Sequence, residues 1–249
     1  MSAAKSLHKE IQLLPNVDFS DPDTVITLPF PSPLCPPLGR FTIKKGIVDT
    51  FQYMGRDIFQ HILKEVEDTS FQTGRHDLYL YGPSGMGKSH LVAALVCHLI
   101  KNGKRVVYIP DCARLLEDHE AYIQEALLFA FYDDADSVNA IMHSRAMHHL
   151  LLFVRNQPVR SLYIIVDQRN ALEINEHGTD MRAASKVTIW DNIDKLRKSQ
   201  NYIFSASANA NSVYFRDKKQ INIRTINLGS GLSEVCPYLF NVLISCSPD

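Results

Sequence analysis

The 249-residue chain is long enough for one large α/β domain, and its apolar fraction of 45% and charged fraction of 21% are ordinary for a globular protein. A formal net charge of −1 excludes a basic field over the whole chain, and no acidic tail is visible in the sequence, although a local charged patch stays compatible with both observations. The five cysteines include no CxxC pair, and neither a signal peptide nor an apolar stretch of about 20 residues is visible, so no zinc ribbon, disulfide framework or membrane partner is expected.

The N-terminal part of the chain contains a proline-rich segment, LPNVDFSDPDTVITLPFPSPLCPPLG. Proline fixes φ and removes a backbone donor, so residues 1–40 are expected to form an extended lead-in rather than part of a core. Residues 41–249 are expected to form the folded domain. The chain stops soon after its last strand-like segment, and we therefore expect this domain to have no helical lid.

The first regular pattern after residue 40 has helical spacing. Apolar residues recur three or four positions apart, at Phe51, Met54, Ile58, Ile62 and Val66. This spacing predicts an amphipathic helix ahead of the first strand.

Segments of strand and helix character then alternate along the chain. Strands are expected over 77–82, 104–111, 161–167, 201–208 and 220–229, and helices over 89–103, 112–134, 137–156 and 183–199. A parallel pair of strands needs a crossover connection, which is usually helical. The order therefore predicts an α/β fold with a doubly wound, mainly parallel sheet flanked by helices.

A glycine-rich loop lies between the first of these strands and the helix that follows it. Its sequence, GPSGMGKS, fits the phosphate-loop pattern G-x-x-x-x-G-K-[ST]. Glycines let backbone N–H groups turn around phosphate oxygens, and the helix N-terminus points further N–H groups at the same anion. The lysine can reach the β- and γ-phosphates, and the serine hydroxyl can ligate Mg²⁺. The predicted nucleotide-binding residues are Gly82, Pro83, Ser84, Gly85, Met86, Gly87, Lys88 and Ser89.

A second motif is the apolar segment LYIIVD, which ends in Asp167. A magnesium ion at a phosphate loop needs an additional carboxylate anchor. Ser89 and Asp167 are therefore predicted to be metal ligands, and Lys88 and Asp167 are predicted to be catalytic.

The residue after Asp167 departs from the pattern of many ATPases of this layout. Those proteins have a glutamate there, which acts as the base for the attacking water, whereas this chain has Gln168. Glutamine can orient a water by hydrogen bonding but is a poor proton acceptor. Glu173 is the nearest alternative carboxylate, either turned back towards the γ-phosphate or solvated on a helix. We predict Gln168 or Glu173 as the residue that positions the water.

A polar group at the end of the fourth predicted strand is expected to sense the γ-phosphate. FSASANAN supplies Ser205, Ser207 and Asn209 there, and we take Asn209 as a nucleotide-binding residue, with a plain strand-end turn as the alternative. The late N/T-K-x-D segment that guanine specificity requires is absent from the sequence. ATP is therefore the expected nucleotide.

The segments YGPSGMGKS, VVYIPDC, IIVDQRNALE and FSASANANS, in this order, resemble the P-loop NTPase module of Crinkler effector proteins of oomycetes and fungi. The resemblance covers residues 40–235. The phosphate loop is common to many families, and VDQRNALE is the segment that points to this one. It implies an ASCE-type P-loop NTPase similar to AAA+ and STAND ATPases. It also implies secretion into a host cell, often into its nucleus, and a host protein or nucleic-acid partner. The ubiquitin-like header and LFLAK-type motif of that family are not found in this sequence.

A second resemblance competes with the first. YGPSGMGKSHLVAALVCHLIKNGKRVVYIPD is similar to the same stretch of helicase-loader and transposition-helper ATPases, which have an acidic pair where this chain has Asp167 and Gln168. We prefer the Crinkler interpretation. Two activities are favoured: a Mg²⁺-dependent ATPase, and a switch that binds ATP, hydrolyses it slowly or not at all and controls a partner. A small-molecule phosphotransferase is the third, and it would need an acceptor site that the sequence does not identify. Each is compatible with an oligomer.

An arginine finger would add a cation to the transferring phosphate. Arg169 is the most suggestively placed candidate, because it follows Asp167 by two residues, and a surface salt bridge is the alternative role for each candidate. The candidates are Arg169, Arg182, Arg216 and Arg224.

Overall fold

The computed structural model describes residues 2–71, 77–174, 181–207 and 223–229. Its helices are α1 (Ser2–Gln12), α2 (Ile58–Phe71), α3 (Lys88–Lys101), α4 (Leu115–Ala130), α5 (Ala135–Met142), α6 (Met147–Arg155) and α7 (Ala183–Leu196), with a 3₁₀ turn over Arg169–Leu172. Its strands are β1 (Val25–Pro29), β2 (Thr50–Met54), β3 (Asp77–Gly82), β4 (Arg105–Ile109), β5 (Leu162–Val166), β6 (Asn201–Ser207) and β7 (Ile223–Asn227). Within these ranges, no helix is both long enough and apolar enough to cross a membrane.

Five strands form one parallel sheet in the order β4-β5-β6-β3-β7. β6 lies between β3 and β5, so the strand that precedes the glycine-rich loop and the strand that precedes Asp167 are not neighbours. Because all five strands run in the same direction, their carboxyl ends meet at one edge of the sheet. The predicted doubly wound parallel sheet is confirmed.

Successive side chains of the central strands face two separate apolar cores. Leu78 and Leu80 of β3 pack with α3 in one core, whereas Tyr79 packs in the other. A strand that is covered on both faces must be apolar throughout, because its side chains alternate between the faces. The β5 sequence LYIIV meets this requirement, since all five of its residues are buried.

The N-terminal segment differs from the extended lead-in expected for residues 1–40. Residues 2–12 form α1, which packs against α3 with Leu7 and Ile11 in the core, and Ile26 and Leu28 of β1 are buried in the same core. The prolines are compatible with this structure because β1 pairs with β2 alone, in a two-stranded antiparallel sheet. These parts of the first 40 residues therefore contribute to the packed core.

The helix predicted over 51–66 is wrong in its first half. Residues 50–54 form β2, in which Phe51 and Tyr53 are buried and Gln52 is exposed, and the helix α2 begins only at Ile58. The alternation with period two, rather than the helical spacing, is the correct description here. Pairing with β1 decides between the two, and that pairing joins residues more than twenty positions apart.

The helix predicted over 137–156 is divided into α5 and α6. Asp134 caps the start of α5 by accepting a hydrogen bond from the Ser137 N–H. At the other end, Gln124 of α4 donates to the backbone oxygen of Ile141 at 2.8 Å. A contact from a different helix thus satisfies a carbonyl where α5 stops, and the local sequence does not predict it.

Candidate nucleotide-binding site

The loop over 83–87 joins the carboxyl end of β3 to Lys88, the first residue of α3. Gly85 has a φ of 82°, and Gly87 has a φ of 69° in the left-handed region. Residues with a Cβ are disfavoured at these angles, so glycine allows the chain to turn here and enter the helix directly. The N–H groups and the positive dipole end of α3 therefore lie at the loop, where they favour an anion.

Lys88 is held across this loop. The residue is 8% exposed, and its Nζ donates hydrogen bonds to the backbone oxygens of Gly82 at 2.8 Å and Pro83 at 2.6 Å. Burial lowers the pKa of Lys88, and the negative charge of Asp167 opposes this shift. Both hydrogen-bond partners are neutral carbonyls, so an anionic phosphate would be a stronger partner for the ammonium group.

A second cation, Arg56, lies against the loop and was not singled out from the sequence. Its Nη1 donates to the backbone oxygen of Met86 at 2.8 Å, and a Cβ added at Gly87 would lie 3.5 Å from the same nitrogen. Burial lowers the pKa of Arg56. Arg56 follows β2, so the antiparallel pair at the N-terminal side of the domain helps to shape the phosphate loop.

Asp167 lies at the same edge of the sheet, immediately after β5, and is 1% exposed. Its Oδ1 accepts hydrogen bonds from the Ser205 hydroxyl and from the Gln168 N–H, the latter at 2.9 Å. Its Oδ2 is buried and has no hydrogen-bond partner among the described residues. Burial raises the pKa of Asp167, while the hydroxyls of Ser205 and Ser89 oppose that shift.

The oxygens of Asp167 and Ser89 suit a divalent cation. Ser89 lies in the first turn of α3, and its hydroxyl opposes the rise in the pKa of Asp167 without satisfying the buried Oδ2, so both predicted metal ligands lie at this edge of the sheet. A buried carboxylate oxygen without a donor is costly unless a cation satisfies it. Mg²⁺ is commonly held by one or two protein oxygens, with water and phosphate oxygens completing its shell. The residues present therefore fit Mg²⁺.

Gln168 adopts a left-handed backbone conformation, with φ of 58° and ψ of 38°, which is uncommon for a residue with a Cβ. Its side-chain Nε2 donates to the backbone oxygen of Pro110, just after β4, at 3.4 Å. Its backbone N–H lies 3.4 Å from the Ser205 Oγ. The amide side chain is therefore placed at the edge of the sheet between the ends of β4 and β5.

Glu173 lies at the end of the 3₁₀ turn, away from these contacts. Burial raises its pKa, and the nearby cations Arg169 and Lys186 oppose the shift. Within the described part of the chain, no hydrogen bond or ion pair joins Glu173 to Lys88 or Asp167, and its role stays a prediction. Asn209, the predicted γ-phosphate sensor, lies outside the described residues.

Arg169 is not arranged as an arginine finger, and it does not form a surface salt bridge. It is 3% exposed, and its guanidinium carbon lies 3.8 Å from the ring centre of Trp190 and 4.6 Å from that of Phe204. Its Nη2 is 3.6 Å from Asp194 Oδ1. A guanidinium group stacked on aromatic rings in the interior stabilises the turn after β5.

Two other arginine candidates can also be placed. Arg224 makes the salt bridge expected as the alternative role, with Glu65 at 2.6 Å. Arg182 is exposed just before α7, and Arg216 lies outside the described residues.

The segment VDQRNALE has a structural explanation in the contacts between β5 and β6. Asp167 accepts a hydrogen bond from the Ser205 hydroxyl, and Asn170 Oδ1 accepts one from the Ser207 N–H at 3.1 Å. Two acceptors three residues apart thus bind two residues near the end of the neighbouring strand. Of the two serines, only Ser205 takes part in these contacts through its side chain, because Ser207 contributes its backbone N–H.

The strand order, the loop with its buried lysine, and the aspartate beside Ser89 define a P-loop NTPase domain. Residues 38–126 match the family described as "IstB-like ATP binding protein". The matched range begins ahead of β2, includes the whole phosphate loop and ends within α4. The chain therefore contains an ATP-binding P-loop NTPase domain that is similar to IstB-like proteins.

The chain was also compared with curated proteins and with solved structures. Comparison with curated proteins gives no match. Among solved structures, that of C. elegans PCH-2 is similar with a TM-score of 0.37 and 12% sequence identity, over 69% of this chain and 41% of that chain. The chain thus spans less than half the length of that protein's structure.

Proposed function

We propose that this domain binds ATP together with Mg²⁺, hydrolyses it slowly, and uses the bound nucleotide to control association with a partner. The observation that carries the proposal is the convergence of Lys88, Ser89 and Asp167 at one edge of the sheet. The charge of Asp167 opposes the lowering of the Lys88 pKa, and the Ser89 hydroxyl opposes the rise of the Asp167 pKa, which supports a single site for the three groups.

Each group has a distinct role in this proposal. The N–H groups of the loop and of α3 bind the phosphate chain, and Lys88 exchanges its two carbonyl partners for oxygens of the β- and γ-phosphates. Ser89 and Asp167 hold Mg²⁺, which would neutralise charge on the phosphates when it is bound. Gln168 orients the attacking water through its amide group, and Asn209 remains the proposed sensor of the γ-phosphate.

A switch with little or no turnover is the second candidate, and Gln168 favours it. The residue that follows Asp167 lacks a carboxylate, and Glu173 is associated with Arg169 and Lys186. An amide that orients water without accepting its proton supports slow hydrolysis. Such a switch stays associated with its partner for as long as ATP remains bound.

One set of measurements separates the two candidates. Binding of Mg·ATP is measured by calorimetry and phosphate release is measured with excess ATP, for the wild type, Lys88→Ala and Glu173→Gln. We expect Lys88→Ala to raise the dissociation constant by about tenfold or more, because it removes the buried cation of the loop. The matched control is Lys104→Ala, which removes an exposed lysine just after α3 and should bind as the wild type does.

The outcomes distinguish the domain that hydrolyses ATP slowly from the switch that binds ATP with little or no turnover. Phosphate release above background that is lost in Lys88→Ala supports the ATPase, whereas tight binding with background turnover supports the switch. A strong loss of turnover in Glu173→Gln would assign the water to Glu173. A wild-type protein that does not bind Mg·ATP contradicts both candidates.

The biological setting is proposed from sequence resemblance. VDQRNALE supports a Crinkler-like effector that acts in a host cell, and it lies outside the range matched by the IstB-like family. The matched range instead contains the stretch on which the transposition-helper alternative rests. Nuclear localisation of the tagged chain in host cells would support the effector setting. ATP-dependent assembly on DNA would support the helper setting.

A further inference from the structure

A carboxylate that the proposed function leaves without a role lies beside Gln168. β4 and β5 are paired in parallel with Ile109 opposite Val166, and the Asp167 N–H donates to the Ile109 oxygen at 2.9 Å. Continuing this register by two residues places Asp111 beside Gln168. Asp111 follows the carboxyl end of β4, the strand next to β5, and therefore lies at the same edge of the sheet as Asp167. Neighbouring strands in a sheet are about 4.8 Å apart.

The Gln168 side chain contacts the backbone just after β4, one residue before Asp111. Its Nε2 donates to the oxygen of Pro110, the residue immediately before Asp111. The amide that is proposed to orient the water and the carboxylate of Asp111 therefore belong to the same end of the β4–β5 pair. Glutamine can hold a water but does not readily accept the proton that the water loses, and a neighbouring carboxylate is the better proton acceptor.

The environment of Asp111 leaves part of its carboxylate available. Its Oδ1 accepts a hydrogen bond from the Ala113 N–H at 2.9 Å, which forms a turn ahead of α4. Among the described residues, none donates a hydrogen bond to its Oδ2, and the residue retains 8% exposure, as Lys88 and Ser89 do. One oxygen thus fixes the side chain, while the other can act on a water molecule.

The other acidic residues near the site are less suited to this task. Asp167 is the proposed metal ligand, and its Oδ1 is already bonded to Ser205 and Gln168. Glu173 is associated with Arg169 and Lys186. We propose that Asp111, which follows the carboxyl end of β4, is the catalytic proton acceptor that replaces the missing glutamate after Asp167.

The step rests on the proposed ATPase function and can be written in full. A water oriented by Gln168 forms a bond from its oxygen to the γ-phosphorus, and the bond between that phosphorus and the β–γ bridging oxygen breaks. One water proton passes to an oxygen of the Asp111 carboxylate, and the electron pair of the broken bond remains on ADP. Inorganic phosphate and ADP are released, and Asp111 returns its proton to solvent.

The test is Asp111→Asn, which keeps an oxygen to accept the Ala113 N–H but removes the carboxylate. We expect the Mg·ATP dissociation constant, measured by calorimetry, to stay within about threefold of the wild type, whereas single-turnover hydrolysis falls by about 100-fold or more, as the loss of a general base requires. The matched control is Asp118→Asn, because Asp118 is exposed and its Oδ1 accepts the Ala121 N–H at 3.0 Å in the same manner. It should hydrolyse ATP at the wild-type rate.

The outcomes separate this inference from the proposed function. Turnover by Asp111→Asn at a rate near that of the wild type overturns the role of Asp111. Wild-type binding without any hydrolysis also overturns it, while ATP binding and the switch stand. A wild type that binds no Mg·ATP overturns the proposed function itself. If Asp111→Asn does not fold, Asp111→Ser retains an oxygen that can accept the Ala113 N–H and is measured in the same way against the same criteria.

Discussion

The Ser205 hydroxyl donates a hydrogen bond to Asp167 Oδ1 and so joins the carboxyl ends of β5 and β6. Only one of the two Asp167 oxygens is satisfied within the described structure, and the other is buried without a donor. Ser205 thus orients the carboxyl group so that its second oxygen is left for a cation.

Replacing Ser205 with alanine should weaken the binding of Mg·ATP. The substitution removes a charge-assisted hydrogen bond, for which about 1.5–3 kcal/mol is typical, and the pKa of Asp167 should rise further because a stabilising donor is lost. We expect a dissociation constant at least about tenfold higher by calorimetry. Ser207→Ala is the control, since Ser207 contributes its backbone N–H to the contact with Asn170. Equal Mg·ATP affinities for Ser205→Ala and Ser207→Ala would contradict the role of Ser205 in orienting the Asp167 carboxyl group.

Asp167→Asn should stabilise the protein in the absence of Mg²⁺ and nucleotide. Burial raises the pKa of Asp167 above its ordinary value of 3.8, so the native state binds the proton more tightly than the unfolded state does. This group therefore contributes stability at low pH that is lost as the pH rises above that value. Near neutral pH the neutral amide should raise the free energy of unfolding by about 1 kcal/mol or more. Urea denaturation measures this free energy of unfolding, and a variant less stable than the wild type would contradict the prediction.

Gly55→Ala should disrupt the contact between the N-terminal segment and the residue that follows β2. A Cβ at Gly55 would lie 2.0 Å from the backbone oxygen of Asp21, so one of the two backbone segments must move. We expect a loss of about 3 kcal/mol or more in the free energy of unfolding. Gly39→Ala is the control, because Gly39 has a φ of 68° with nothing within 4 Å of a new Cβ and should lose only about 1 kcal/mol. Similar losses would mean that the contact with Asp21 is not decisive.

His8 should make stability fall in mild acid. Its Nε2 lies 3.1 Å from the Phe129 oxygen, its ring stacks on Tyr132, and burial lowers its pKa from 6.5 to about 4. The unfolded state therefore binds more protons than the native state between these values, so stability falls as the pH decreases through this window and the loss is complete below about 4.

The variant His8→Phe isolates this contribution. We expect the wild type to lose more unfolding free energy than His8→Phe between about pH 7.5 and about pH 5.5 in urea titrations. His90 and His98, whose pKa values are also lowered by burial, are present in both proteins and cancel in the comparison. Parallel losses in the two proteins would show that α1 does not hold His8 neutral.

The parallel sheet could be predicted from the sequence because its signals are local. Buried apolar runs such as 162–166, bounded by polar residues, indicate strands wherever they occur, and the glycines of the phosphate loop mark the turn after β3. Asp167 could be predicted for the same reason, since it ends such a run. The contact of Asn170 with β6 could not, because it depends on the pairing of two distant strands.

The N-terminal region shows why β1, β2 and the contact of Arg56 with the phosphate loop could not be predicted from the sequence. Phe51 fits a helical pattern together with Met54 and an alternating pattern together with Tyr53, and only the pairing of β2 with β1 selects the strand. The prolines indicated an extended lead-in, but β1 tolerates Pro29 in a two-stranded sheet. Arg56 reaches the phosphate loop as a consequence of this pairing, thirty positions away from Met86, so no local motif identified it.

The stacking of Arg169 on Trp190 has a practical consequence. Trp190 is the only tryptophan of the chain, and it contacts a residue that lies two positions after Asp167. The tryptophan fluorescence of the protein, excited selectively over that of its ten tyrosines, therefore originates at one place, beside the turn that carries the carboxylate and the amide of the site. Any rearrangement of that turn is converted into a change of emission, without an added label.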